Sequence, residues 1–285
     1  MPMTAFFTII AMVAFAANSI LAREALGDGT MDAAGFTGLR LASGAVALAF
    51  VLMLRRKDEV KAVPGSWASA LALFVYAVAF SFAYVQLGAA TGALILFVSV
   101  QMTMIGWGIA CGERPRAMQW LGIFMALAGF VYLVSPALTR PDPVATALMI
   151  TAGIAWGVYS LRGRGTRDPI GDTAGNFIRT LPLAMALLAF ALVGQGSIGG
   201  EMSGRGIVLA VASGVLASAA GYVVWYRVLP HLAAIAAAIV QLSVPVITAA
   251  AGVLFLAEPL TIELTLAGVL ILCGLALAIA ARRKA

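Results

Sequence analysis

Apolar residues run along this chain in long unbroken stretches, and the polar residues collect in the short gaps between them. Ten stretches are read, at 4–26, 33–54, 67–88, 90–110, 118–134, 144–161, 173–193, 206–228, 232–257 and 260–281. A helix of about 20 residues crosses a hydrocarbon core about 30 Å thick, so each stretch has the length of a transmembrane helix. Strands of a membrane barrel would alternate apolar and polar residues over shorter segments, whereas these runs are continuous and rich in Ala, Leu and Gly. The predicted fold class is an all-α integral membrane protein with ten transmembrane helices. Its gaps have turn and charge chemistry: Gly27-Asp28-Gly29, Arg55-Arg56-Lys57-Asp58-Glu59, Arg140-Pro141-Asp142-Pro143, and the segments 162–169 and 194–204. None is long enough for a soluble domain.

Part of the pattern occurs twice. Residues 87–129 and 232–274 each read as an apolar run, a break holding Glu and Pro, and a second apolar run, the breaks being Glu113-Arg114-Pro115 and Glu258-Pro259. Laid over one another without gaps, Ala93 falls on Ala238, Thr103 on Thr248, Glu113 on Glu258, Leu121 on Leu266, Leu127 on Leu272 and Gly129 on Gly274. A charged Glu beside Pro fits where one helix leaves the lipid and the next begins, because Pro is tolerated in a first turn. Phe15-Ala16-Ala17-Asn18-Ser19 sits like Trp156-Gly157-Val158-Tyr159-Ser160, and Ala34-Gly35 before Arg40 resembles Ala174-Gly175 before Arg179. A first five-helix repeat over 1–138 and a second over 139–285 follow. Five is odd, so the second repeat enters the membrane from the opposite side, which is the inverted plan of many secondary transporters. Small residues crowd the fourth helix (Gly88, Gly92, Gly106, Gly108) and the ninth (Ala233, Ala234, Ala237, Ala238), so these two are expected to pack together near the pseudo-twofold axis.

Composition agrees with a membrane setting: 62% of residues are hydrophobic, 11% are charged and the mean hydropathy is +1.03, too little polar surface for a soluble fold. The net charge of +6 does not point to nucleic acid, since the basic residues lie in short breaks rather than on a soluble face. Thirteen of the eighteen Lys and Arg residues fall after helices two, four, six, eight and ten, and three (Arg23, Arg140, Arg205) on the other side. The expected location is the cell inner membrane, multi-pass, with both termini cytoplasmic. Residues 1–8 hold no basic segment of a signal peptide, so the first helix is expected to stay. Cys111 and Cys273 form no CxxC pair and are expected to be packing residues.

With this order of helices, the Trp-Gly at Trp156-Gly157, an Arg in the second helix of each repeat, and the hairpins at Glu113-Arg114-Pro115 and Glu258-Pro259, the chain resembles the drug/metabolite transporter superfamily of the EamA type over nearly its whole length. Within it, the chain is similar to the YddG-type exporters of aromatic and other neutral amino acids. The resemblance implies a ten-helix bundle around a central cavity that moves small organic metabolites or drugs. The first repeat departs from the pattern, with Phe15-Ala16 where Trp-Gly would stand.

Polar groups inside hydrocarbon need a partner or a wet cavity, which singles out a few residues. Arg40 and Arg179 either hold a substrate carboxylate or a gate, or tie down carbonyls near helix ends. Gln101, Gln241 and Ser243 lie beside Pro245, which leaves a carbonyl without its helical donor, so they either repair the backbone or face a ligand. Asn18, Tyr76, Phe80, Trp156, Tyr159 and Tyr222 are read as walls of a substrate pocket, with core packing as the alternative for any one ring, and Tyr84 as a gating or structural residue. Trp225 and Tyr226 are read as interface anchors, and His231 as a loop cap or a pH sensor. No Asp or Glu lies deep in a predicted span, so no proton or sodium relay is expected. An intramembrane enzyme would need a nucleophile with a base, paired carboxylates or metal ligands, and none is visible. A non-transporting scaffold fits the buried Gln, Asn and Arg poorly. The reading is therefore an exporter of small neutral or zwitterionic metabolites, amino acids foremost, working by alternating access. Its expected partners are a small-molecule substrate and the lipid bilayer, with no nucleic acid, cofactor or metal, in a monomer or weak homo-oligomer.

Overall fold

The structure is a computed structural model and describes residues 2–27, 29–55, 64–87, 89–135, 142–194, 202–255 and 261–283. Among these, ten helices are long and apolar enough to cross a membrane. Helix α1 is Pro2–Ala22, prolonged by a π-helical turn at Arg23–Gly27. It is followed by α2 (Ala33–Leu54), α3 (Trp67–Leu87), α4 (Ala89–Ala110), α5 (Ala117–Val134), α6 (Pro143–Gly163) and α7 (Pro169–Gly194). Helix α8 joins Gly204–Ala212, a π-helical Ser213–Ala220 and Gly221–Val228; α9 joins Ala234–Gln241 and Ser243–Phe255; α10 is Ile262–Arg283.

Polar residues at the ends set where these helices begin. Asp32 accepts from the Gly35 N–H, Asp142 from Ala145 and Ser203 from Gly206, each satisfying a donor that the first turn cannot. Asp168 does the same for Gly171 with Pro169 in the first turn, and α7 therefore starts ahead of its apolar run, which begins at residue 173. In α9 the ring of Pro245 removes a donor opposite the Gln241 carbonyl. The helix stops at Gln241 and restarts at Ser243, whose hydroxyl donates to the Val240 carbonyl at 2.7 Å.

The outer surface is apolar: Met53 is 79% exposed, Met102 72% and Val193 84%, side chains that belong against lipid. Inside, α2 packs along α7, α5 along α10, α3 along α6, α1 along α8, α4 against α6 and α1 against α9. Exchanging the two repeats returns the same set of pairs, with α2/α7 and α5/α10 mapped onto themselves. Those two pairs run antiparallel, as an inverted repeat requires. Gly38 lies against Ala184 and Gly44 against Phe177; likewise Gly122 lies against Gly274 and Gly129 against Ala267. The overlay that sets Gly129 on Gly274 sets Gly122 on Ala267, so the last two contacts are one contact seen from both repeats. The expected repeat boundary at 138/139 and the pair Glu258-Pro259 lie outside the described residues.

Helices α4 and α9 do touch, the Gln101 amide donating to the Ala238 carbonyl at 2.8 Å. A tighter backbone approach is found at α5/α10. A Cβ added to Gly122 would stand 2.5 Å from the Gly274 carbonyl oxygen, while one on Gly106 of α4 would meet nothing within 4 Å. Cys111 and Cys273 are exposed rather than packed inside, because Cys111 lies in the turn after α4 and Cys273 on an outward face of α10.

Ten alternating spans put both ends of the chain on one face, together with the α2–α3, α4–α5, α6–α7 and α8–α9 connections. We call it the terminal face.

Candidate functional site

Four aromatic side chains from four helices meet where the repeats come together. Trp156 of α6 has its ring centre 4.9 Å from Tyr76 of α3, 4.8 Å from Tyr222 of α8 and 5.2 Å from Phe15 of α1, the last edge-on at 87°. Phe15 reaches Tyr222 at 5.8 Å and Phe80 stands 6.0 Å from Tyr76. Such offset and edge-on pairs hold rings in fixed orientations. Phe15 and Trp156 are the residues that the repeat pattern places opposite one another, and the structure brings them into contact.

These rings border a narrow cavity of about 40 Å³, room for a few water molecules. Of the nine residues expected to bind substrate, Asn18, Tyr76, Phe80, Trp156, Tyr222 and Gln241 line it. Gln241 is held from three sides: its Oε1 accepts from the Trp156 indole N–H at 2.7 Å, and its Nε2 donates to the Ala237 carbonyl at 2.9 Å and lies 3.3 Å from the Met104 sulfur. Asn18 Oδ1 accepts from the Ser213 hydroxyl at 2.7 Å. The other three stand outside this lining. Gln101 is spent on the α9 backbone, Ser243 closes the α9 break, and Tyr159 lies one layer nearer the terminal face, its ring 5.7 Å from Trp156. Leu96, Phe97, Val100 and Val244 complete the wall. As ordinary apolar residues within apolar runs they carry no mark in the sequence. Phe15 carries one, its match to Trp156.

Above the cage, away from the terminal face, the cavity widens into a vestibule of about 350 Å³ that shares Ser19, Phe80, Leu96, Phe97 and Val244 with it. Arg23, Tyr84, Pro245 and Thr248 are among its further walls, so Tyr84 and Pro245 belong to the approach rather than to the cage. This volume is within the range of small-molecule sites.

Below the cage the way is shut. Tyr226 donates to the Tyr159 carbonyl at 3.1 Å and the Trp225 indole N–H to Ser160 Oγ at 3.1 Å, and both rings are buried. The expectation of interface anchors is thus corrected. The rings fall on the inward face of α8, against α6, and form a plug. Beneath them a pit of about 330 Å³ on the terminal face ends at Tyr226. Around the pit, the start of α3 is tied to α6 and α7. Arg55 grips both Asp168 oxygens at 3.0 and 2.9 Å, and Asp172 accepts from the Gly65 N–H at 2.9 Å and from the Thr166 hydroxyl. Asn176 accepts from the Ser66 N–H at 3.0 Å, and Arg162 donates to Ser69 Oγ at 2.8 Å. Gly65 has φ +85, a left-handed conformation that brings its backbone onto Asn176. On the same face, Glu113 accepts from the N–H groups of Ala234 and Ile235 at 2.7 and 3.1 Å, so the hairpin acid of the first repeat caps α9 of the second.

The two arginines at matching places behave differently. Arg179 Nη1 donates to the carbonyls of Pro64 and Gly175, both at 2.8 Å, and fastens the chain before α3 to α7. Arg40 is 1% exposed; its Nε donates to Ser218 Oγ at 2.8 Å and its Nη2 to the Tyr222 hydroxyl at 2.7 Å, with the Tyr76 ring centre 5.6 Å from Cζ.

Comparison with known proteins fits this geometry. The EamA-like transporter family model matches the chain twice, over 2–135 and 144–280. The chain is 49% identical to the uncharacterized protein PA1977 of Pseudomonas aeruginosa, over 98% of this chain and 95% of that one. It is 28% identical to the uncharacterized transporter YwfM of Bacillus subtilis, over 92% of this chain and 89% of that one. A crystal structure of a protein with 19% sequence identity superposes with a TM-score of 0.78 over 99% of both chains, a likeness of fold.

Proposed function

We propose, from the premise that the chain belongs to the EamA-like transporter family, that it exports small neutral or zwitterionic metabolites, foremost amino acids with aromatic side chains, by alternating access. The observation that carries this reading is the aromatic and amide cage beside a vestibule on the side away from the terminal face. Stacked rings receive a flat apolar side chain, and the Asn18 amide N–H groups and the remaining lone pair of Gln241 Oε1 offer polar contacts without charge. The plug of Tyr159, Trp225 and Tyr226 and the ties around it are the barrier that the opposite state must open.

The inner membrane with both ends in the cytoplasm is part of the proposal. It rests on the basic residues, thirteen of which follow the even-numbered helices in the sequence. The vestibule then faces outward. Among the described residues, none lining cage or vestibule is Asp or Glu, which favours flux down the substrate gradient without an obligatory ion.

Counterflow in proteoliposomes with labelled amino acids, sugars and organic cations tests the reading. Aromatic amino acids are expected to exchange without a pH or sodium gradient, and Trp156→Ala to lower that exchange at least tenfold. Movement of sugars or cations with no exchange of amino acids would refute it.

A further inference from the structure

We infer that the cage selects its substrate by a carboxylate, and that Arg40, acting through the Tyr222 hydroxyl, is the positioning residue that sets this preference. The inference rests on the transport reading and names the chemical group by which that same site would recognise its substrate.

Arg40 is the only charged side chain among the buried polar residues described. No carboxylate among the described residues lies within ion-pair distance of it, and the groups around it are the neutral hydroxyls of Ser218, Tyr222 and Tyr76. Its third nitrogen, Nη1, is buried with no hydrogen-bond partner among those residues. A lone cation in a membrane interior is expensive, and side chains of this kind mark substrate paths. Arg179 supplies the contrast within the same molecule, since it spends its donors on two backbone carbonyls and holds two segments together. Arg40 holds no backbone by those bonds.

Tyr222 transmits the charge. Its oxygen accepts from Arg40, its own O–H is a donor with the Tyr76 hydroxyl beside it, and both rings border the cavity. A hydroxyl polarised by a guanidinium is a stronger donor to an anion than an isolated one. Among the described residues, neither cavity has an acid in its lining to offset that charge. The resulting positive potential draws a carboxylate inward and opposes a bare amine, while the ammonium of a zwitterion can rest on a ring face.

Three competitors against labelled tryptophan in counterflow test this: unlabelled tryptophan, tryptophanamide and tryptamine, which share the indole and differ at the carboxylate. Tryptophan is expected to compete at least tenfold better than the other two. Tyr222→Phe should bring that ratio close to one, and Arg40→Lys should keep it. Arg40→Gln is scored by the same ratio if its melting temperature in detergent shows a folded protein; otherwise Tyr222→Phe carries the test. Equal competition by all three compounds overturns the carboxylate while transport stands. A folded Tyr222→Phe protein with the parent's ratio overturns the role of Arg40 through Tyr222. If labelled tryptophan and every other labelled amino acid fail to exchange, the transport reading falls and this inference falls with it.

Discussion

Gln241 faces Trp156 with its only acceptor, and the indole has only one donor, so each satisfies the other in a place without water to substitute. Removing either partner strands the other. Gln241→Leu and Trp156→Phe are each expected to destabilise the protein by about 1–3 kcal/mol. The double variant should lose less than the sum, read as a coupling of about 0.5–3 kcal/mol from thermal unfolding in detergent. The polar half of this pair is legible from sequence, because an amide in mid-span demands a partner. The identity of the partner is not, since the two residues are 85 positions apart and meet only because α4 packs against both α6 and α9. The same limit explains the arginines. Their positions in the repeats match, yet Arg179 finds the Pro64 carbonyl from the α2–α3 connection whereas Arg40 finds side chains of α8.

Helices are legible by length and termini by polar caps, but close seams are not, because Gly and Ala are scattered through every span. The contact geometry separates the glycines. Gly122→Ala forces a methyl group into the Gly274 carbonyl and is expected to lower stability by about 1–3 kcal/mol, with a fall in melting temperature. Gly106→Ala meets open space and should be neutral or stabilising by up to about 1 kcal/mol, since Ala is the better helix former. Equal losses at both positions would show that the α5/α10 seam has been misplaced. The π-helical stretch of α8 also carries no compositional mark. It lies where Gly214 passes Arg40, a Cβ there falling 2.3 Å from the Arg40 carbonyl oxygen, and it ends two residues before Tyr222. Irregular helix of this kind recurs at functional sites.

For the whole bundle, parity and repetition carry most of the architecture: ten spans, both ends together, and helix pairs that exchange into one another. Which face is open depends on many weak ties, none with a signature in the chain. The Arg55–Asp168 pair is one such tie. With side chains 24% and 35% exposed, it is worth about 1 kcal/mol, about fivefold in the balance of states. A cysteine at Ala93, in a background lacking Cys111 and Cys273, should react with a membrane-impermeant maleimide from the vestibule side. Asp168→Asn should slow that reaction by up to about fivefold as the terminal face opens more often. An unchanged or faster rate would remove Asp168 from the barrier.

The narrowness of the cage has a physiological consequence. Protons cross a membrane readily along an unbroken file of water, and a file from vestibule to pit would have to pass a space for a few molecules and then a layer of interlocked tyrosines and an indole. A fixed guanidinium beside that constriction repels hydronium as well. On the proposed transport reading, idle copies of the carrier would leave an ion gradient across the membrane intact, and only a bound solute, by spreading the rings, would create a passage, which it fills itself.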